Sequence, residues 1–288
     1  MARRIPFEPI LSQAFHHVSR CFFSKDASEG EDEEAYVDRL IVEYEEMFQK
    51  LGPSSVAAVM IEPVSGATLG AVPAARGYLA RLRELCDKHG ALLIYDEVMC
   101  GMGRLGTTHA WQSLGSVAPD LQTIGKGLSG GYQPVSAILV GPKVHQVMQA
   151  TTISHPFVSG HTYQGHTIGC AAALATQQVM VNENLLTNVK AMGVLLEREL
   201  RERTPMLKET RGLGLFVGVE FATQPDGPIA AHVVQTCLTK GAAIYLASPA
   251  SDTVIFAPPF IINEREVKEL VQIFVEATKQ VLEGNDES

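Results

Sequence analysis

Two short apolar runs, Val56 to Ile61 and Ala91 to Tyr95, end on the polar pairs Glu62-Pro63 and Asp96-Glu97, and a helix-patterned stretch lies between them. This order constrains the fold more than any other feature of the chain. Nearly continuous apolar strands joined through a helix mark a parallel sheet covered on both faces, because a parallel pair needs a long crossover that buries the strands. The helix is signalled by Pro73 near its start, by Tyr78, Leu79, Leu82, Leu85 and Cys86 along one face, and by Gly90 beyond its end. Ligand sites in such sheets lie beyond the carboxyl ends of the strands, which is where Glu62, Asp96 and Glu97 stand.

Around this unit the chain divides into three parts. Residues 1–35 form an irregular N-terminal segment, whose polar, acidic stretch Ser24 to Glu34 is read as an exposed loop. From Tyr36 a helix carries Tyr36, Leu40, Tyr44, Met47 and Phe48 and stops near Gly52-Pro53. Further strands are expected at Leu121 to Ile124 and Val135 to Val140, and helices at Gly169 to Met180 and Leu185 to Leu200, completing an α/β large domain over residues 36–204. Beyond it, strands around Gly214 to Glu220 and Val254 to Ala257, with helices near Ala230 to Leu238 and Arg265 to Leu282, predict a small α+β domain over 205–288.

Composition narrows the function classes. With 288 residues, 46% of them hydrophobic, the chain can bury a large core. A net charge of -9 with dispersed lysines and arginines offers a nucleic-acid backbone no basic surface. Cys21, Cys86, Cys100, Cys170 and Cys237 are odd in number and include no CxxC pair, which argues against a disulfide framework and a thiolate zinc site. No apolar run of signal-peptide or membrane-span length occurs, so the expected setting is cytoplasmic, with no membrane partner. His161 and His166 lie five apart with no third ligand in view, and no metal is expected.

The richest segment begins LLIYDEVMCGMGRLG at Leu92 and continues LQTIGKGLSGGYQPVSAILV from Leu121 to Val140. Asp96 follows an apolar strand, where a carboxylate held in reduced dielectric can pair with a cationic nitrogen. Lys126 sits in a glycine-rich turn with room for a flat ligand against the backbone, and a desolvated lysine there is a candidate imine former. The plainer reading is an Asp96–Lys126 or Asp96–Arg104 ion pair with glycines serving as turns. IGKG is not a nucleotide phosphate loop, because Gly127 follows the lysine in place of Ser or Thr. Gly101, Gly103 and Gly106 match a dinucleotide spacing by position, but two acids precede them and would repel a pyrophosphate.

The ordered set IEPVSGATLG, DEVMCGMGRLG, PDLQTIGKGLSGGYQPVSA, HTYQGHTIGCAAALA, RGLGLFVGVEF and APPFII resembles the class III aminotransferases, pyridoxal-phosphate enzymes of fold type I. The resemblance runs from about Ala57 to Leu282 and more loosely from Arg3. It implies that Lys126 is the Schiff-base lysine and proton carrier, that Asp96 pairs with the pyridine nitrogen and that Val98 packs on the ring. It further implies that Thr162 reaches the cofactor phosphate of the neighbouring subunit in a homodimer. Arg211 would grip a substrate carboxylate and Glu62 would hold or shield that arginine. Tyr163, His161 and His166 are weaker candidates. The implied reaction moves an amino group between an amino donor and a keto acid or aldehyde; racemases, aminomutases and decarboxylases share the scaffold.

Complete members of the family are considerably longer. The chain therefore reads as lacking the N-terminal part, with an incomplete large domain, a missing phosphate-binding turn and doubtful activity. A shortened homologue acting as an interaction or regulatory protein is the alternative.

Overall fold

The computed structural model describes residues 4–151, 157–225, 227–247 and 251–285. The first three residues of the expected N-terminal segment and the last three of the expected C-terminal domain lie outside the described residues. In chain order the elements are α1 (Phe23–Asp26), α2 (Glu33–Leu51), β1 (Ala58–Ile61), β2 (Val64–Ser65), β3 (Val72–Pro73), α3 (Tyr78–His89), β4 (Leu92–Asp96), β5 (Leu121–Ile124) and β6 (Ala137–Val140). There follow α4 (Pro142–Thr151), α5 (Thr167–Asn182), α6 (Leu185–Arg203), β7 (Leu207–Leu213), β8 (Phe216–Phe221), α7 (Ala230–Thr239), β9 (Tyr245–Leu246), β10 (Thr253–Phe256) and α8 (Glu264–Asn285). Two compact units result, one of residues 21–63 and 74–186, the other of residues 1–20, 64–73 and 187–288.

The first unit holds a four-stranded sheet in the order β1-β4-β5-β6, parallel except for the antiparallel β6. Val59, Leu93 and Tyr95 point to one face and pack against Tyr36, Val37, Leu40 and Phe48 of α2 and Leu79, Leu82 and Leu85 of α3. Each such side chain, removed from water, contributes about 1.5–3 kcal/mol before chain entropy is charged against it. Helix α2 starts where Asp32 accepts a hydrogen bond from the Ala35 N–H and stops at Gly52. Helix α3 begins after Gly77 and ends at Gly90, both left-handed, so Pro73 lies in β3 and not at the helix start. Strand β6 is exposed along its whole length.

The second unit folds around an antiparallel sheet, β7-β8-β10-β9. Val217, Val219 and Phe221 of β8 and Val254 and Phe256 of β10 form its core with Leu196 of α6, Val233 of α7 and Val271 and Phe274 of α8. The Phe256 and Phe274 rings meet edge to face at 5.0 Å.

Candidate functional site

Strands β4 and β5 run parallel with Asp96 opposite Thr123, and their carboxyl ends carry the polar residues together. Asp96 Oδ1 accepts two hydrogen bonds, from the Val98 N–H at 3.0 Å and from Thr123 Oγ1 at 3.2 Å. Among the described residues no donor is directed at Oδ2. Half-buried Val98 lies against Gly125, where an added Cβ would stand 3.4 Å from Val98 Cγ1, and Gly127 faces Met102 in the same way at 3.6 Å. Lys126, between these two glycines, is thereby brought to the same strand ends as Asp96 and Val98.

Lys126 opens a short 3-10 turn, Lys126–Ser129, with φ 39°, a left-handed conformation that a residue bearing a Cβ adopts at a cost. Its side chain is exposed and makes no ion pair among the described residues, so the Asp96–Lys126 ion pair of the plainer reading is not formed. The turn is braced by the Gln177 amide donating to the Leu128 carbonyl at 2.9 Å and by Ser129 Oγ donating to the Gln133 carbonyl at 2.5 Å.

Beside Asp96 lies a buried network that sequence reading did not assign. Glu97 is fully buried and accepts from the N–H groups of Ala110 and Trp111 at 2.7 and 2.9 Å and from Gln122 Nε2 at 2.7 Å. Gln122 also meets His109 Nδ1 at 3.0 Å and accepts from Trp111 Nε1 at 3.3 Å. Burial pushes the Glu97 carboxyl above the usual carboxylate range, against the downward pull of the two backbone donors, and burial lowers His109. Gly101 has no alternative here, since a Cβ would lie 2.8 Å from both the Glu97 carbonyl and its Oε2. A signal was available: a glutamine at the inward position of a short apolar strand needs partners.

The remaining predicted residues are placed apart from this constellation. Thr162 and Tyr163 are exposed in a turn over 162–165, His161 is exposed just before it, and His166 caps α5 by accepting from the Gly169 N–H at 3.4 Å. Glu62 is exposed just past β1. Arg211 belongs to the other unit and is buried within it. Its Nε donates to the Gly70 carbonyl, Nη1 to Glu209 and Glu220 at 2.8 Å each, and Nη2 to the Leu69 carbonyl and Thr253 Oγ1. All five N–H donors are thus matched by protein acceptors. Among the described residues no group of three or more His, Cys, Asp or Glu could hold a metal, and no helix is long and apolar enough to cross a membrane.

The residues at the β4 and β5 ends fit pyridoxal phosphate on their chemistry: a carboxylate oxygen and a primary amine on a glycine-flanked turn, neither of them paired among the described residues.

The family described as aminotransferase class-III matches residues 7–278. An aminotransferase of Gibberella zeae is 37% identical over 295 residues, which cover 96% of this chain and 57% of that protein. A solved transaminase, described as directed evolution by ancestral reconstruction, superposes with a TM-score of 0.89 at 35% identity, over 96% of this chain and 62% of its own. The omega transaminase from Pseudomonas jessenii in complex with PMP gives 0.87 at 31%, over 96% and 62%.

These matches correct three expectations. The truncation expected from the sequence is not what the family match records: that match runs from residue 7 to residue 278, across nearly the whole chain. The incomplete large domain gives way to a fold-type-I architecture with a mostly parallel sheet and a smaller unit, since nearly the whole backbone superposes on solved transaminases. The doubt about activity falls with its premise. The chain spans 57% to 62% of the length of these proteins, so the whole enzyme's activity, substrates and partners are matters of proposal.

Proposed function

Since the chain belongs to the class-III aminotransferase family, we propose that it transfers an amino group between an amino donor and a keto acid or aldehyde, using pyridoxal phosphate. The observation that carries this reading is the joining of Asp96, Val98 and Lys126 at adjacent strand ends, with one Asp96 oxygen engaged and the other open. Bound there, the cofactor supplies an electron sink for charge released at the substrate carbon.

The chain's own residues have separable tasks. Asp96 Oδ2 accepts the ring N–H and holds its proton in place, a charge-assisted contact strengthened by partial burial. Val98 presents an apolar surface to the ring. Lys126 Nζ anchors the cofactor and moves a proton at the substrate Cα, and its exposure on a glycine-flanked turn gives the amine freedom to do both. The Thr162 hydroxyl, exposed in its turn, suits an anion on a partner subunit, which is the basis for a homodimer.

A carboxylate-gripping role for Arg211 fits the geometry poorly, since a substrate would have to displace Glu209 or Glu220 from a buried guanidinium. Its task in this reading is to hold its own unit together, and Glu62 remains a candidate for contact with substrate. Incubation with an amino donor and a keto acceptor, followed by product analysis, tests the reaction. Stoichiometric amino transfer is expected; racemisation or carbon dioxide release without transfer would reject it.

A further inference from the structure

Asp96 ends β4, where no following strand residue restrains its side chain, so something must fix the plane of its carboxylate. Two donors do so on a single oxygen: the Val98 N–H from its own loop and Thr123 Oγ1 from β5, twenty-seven residues away. With both on Oδ1, Oδ2 takes no donor among the described residues. Thr123 is half-buried and paired across from Asp96, and its carbonyl accepts the Glu97 N–H at 3.0 Å, so its backbone cannot drift from the strand end.

From this geometry we infer that Thr123 is a positioning residue whose hydroxyl aims Asp96 at the cofactor's ring nitrogen, an assignment that rests on the reading of Asp96 given above. Thr123 touches neither substrate nor cofactor in this scheme. It acts through Asp96 alone, by removing the carboxylate's rotational freedom before the cofactor arrives.

The test uses the full chain and pyridoxal phosphate, with cofactor affinity read by absorbance and fluorescence titration, independent of turnover. T123V keeps the side-chain shape without the hydroxyl, and T123S keeps the hydroxyl. Affinity is expected to fall roughly three- to tenfold in T123V, the scale of one ordinary hydrogen bond, and to return in T123S. In a D96N background the T123V effect should vanish, because its only route is gone. If T123V folds poorly, T123A is read in the same cycle. Wild-type affinity in T123V, or an undiminished effect in D96N, overturns the assignment while leaving the proposed function intact. A wild-type chain that takes up no cofactor overturns the proposed function and this assignment together.

Discussion

Gln122 Nε2 donates to Glu97 Oε2 across 2.7 Å, joining the strand end that bears Asp96 to the strand that leads into Lys126. Deleting the Glu97 carboxylate leaves the N–H groups of Ala110 and Trp111 without their acceptor and the Gln122 amide with His109 Nδ1 alone. Glu97→Ala should therefore cost about 3–5 kcal/mol in urea unfolding, and Gln122→Leu about 1–3 kcal/mol. Both should weaken cofactor uptake, because the loop that follows Asp96 loses its tether. A Glu97→Ala protein of wild-type stability would contradict the network's role.

Arg211 offers a sharper separation of structure from substrate recognition. Its buried pairing with Glu220 and Glu209 at 2.8 Å predicts that Arg211→Met lowers stability by about 3–5 kcal/mol, because two carboxylates are left behind. Lysine cannot reproduce the fork, so Arg211→Lys should recover only part of this. Where these variants remain folded, the relative preference for donors with and without a carboxylate should not change. A selective rise in KM for the carboxylate donors would restore Arg211 as the clamp.

Asp120 links α3 to β4 by accepting from both Arg83 Nη1 and the Leu93 N–H at 2.8 Å. Burial by itself would raise this carboxyl, but the Leu93 N–H and the Arg83 guanidinium outweigh it and hold it below its usual value. A depressed carboxylate contributes stability above the usual carboxylate range and loses it as pH falls through the folded value. Wild type should exceed Asp120→Asn in stability at neutral pH, and the gap should close as pH drops below about 4. A gap that stays constant down to pH 2 would show that the charge is irrelevant.

Gly218 on β8 faces the Gly70 carbonyl, and an added Cβ would lie 2.1 Å from that oxygen. Neither backbone can yield without disturbing the neighbouring strand, so Gly218→Ala should cost roughly 3 kcal/mol or more. Thermal unfolding of the variant measures this, and an unchanged midpoint would rule out the close approach.

The parts of the fold legible in the sequence are those where one residue class repeats. Strand β1, Ala58 to Ile61, lies within the apolar run that implied it, and the helical spacing of Tyr36, Leu40 and Phe48 is that of a buried face. Strand β7 was hidden because Lys208, Glu209 and Arg211 interrupt any alternation, and an ion network fills the place of apolar packing. Pro73 resembled a helix start but belongs to β3, a two-residue strand that exists only by pairing with β2. In the site, Asp96 and Lys126 stand out by motif, whereas Thr123, Gln122 and His109 act through contacts between distant positions that no local pattern encodes.

If Lys126 carries the cofactor where Asp96 holds the ring nitrogen, a visible absorption spectrum shows it. The purified chain mixed with pyridoxal phosphate and then desalted should retain a yellow absorbance that is absent in Lys126→Ala and shifted or weakened in Asp96→Asn. A wild-type chain that emerges colourless, or a Lys126→Ala chain that retains the same spectrum, would contradict it.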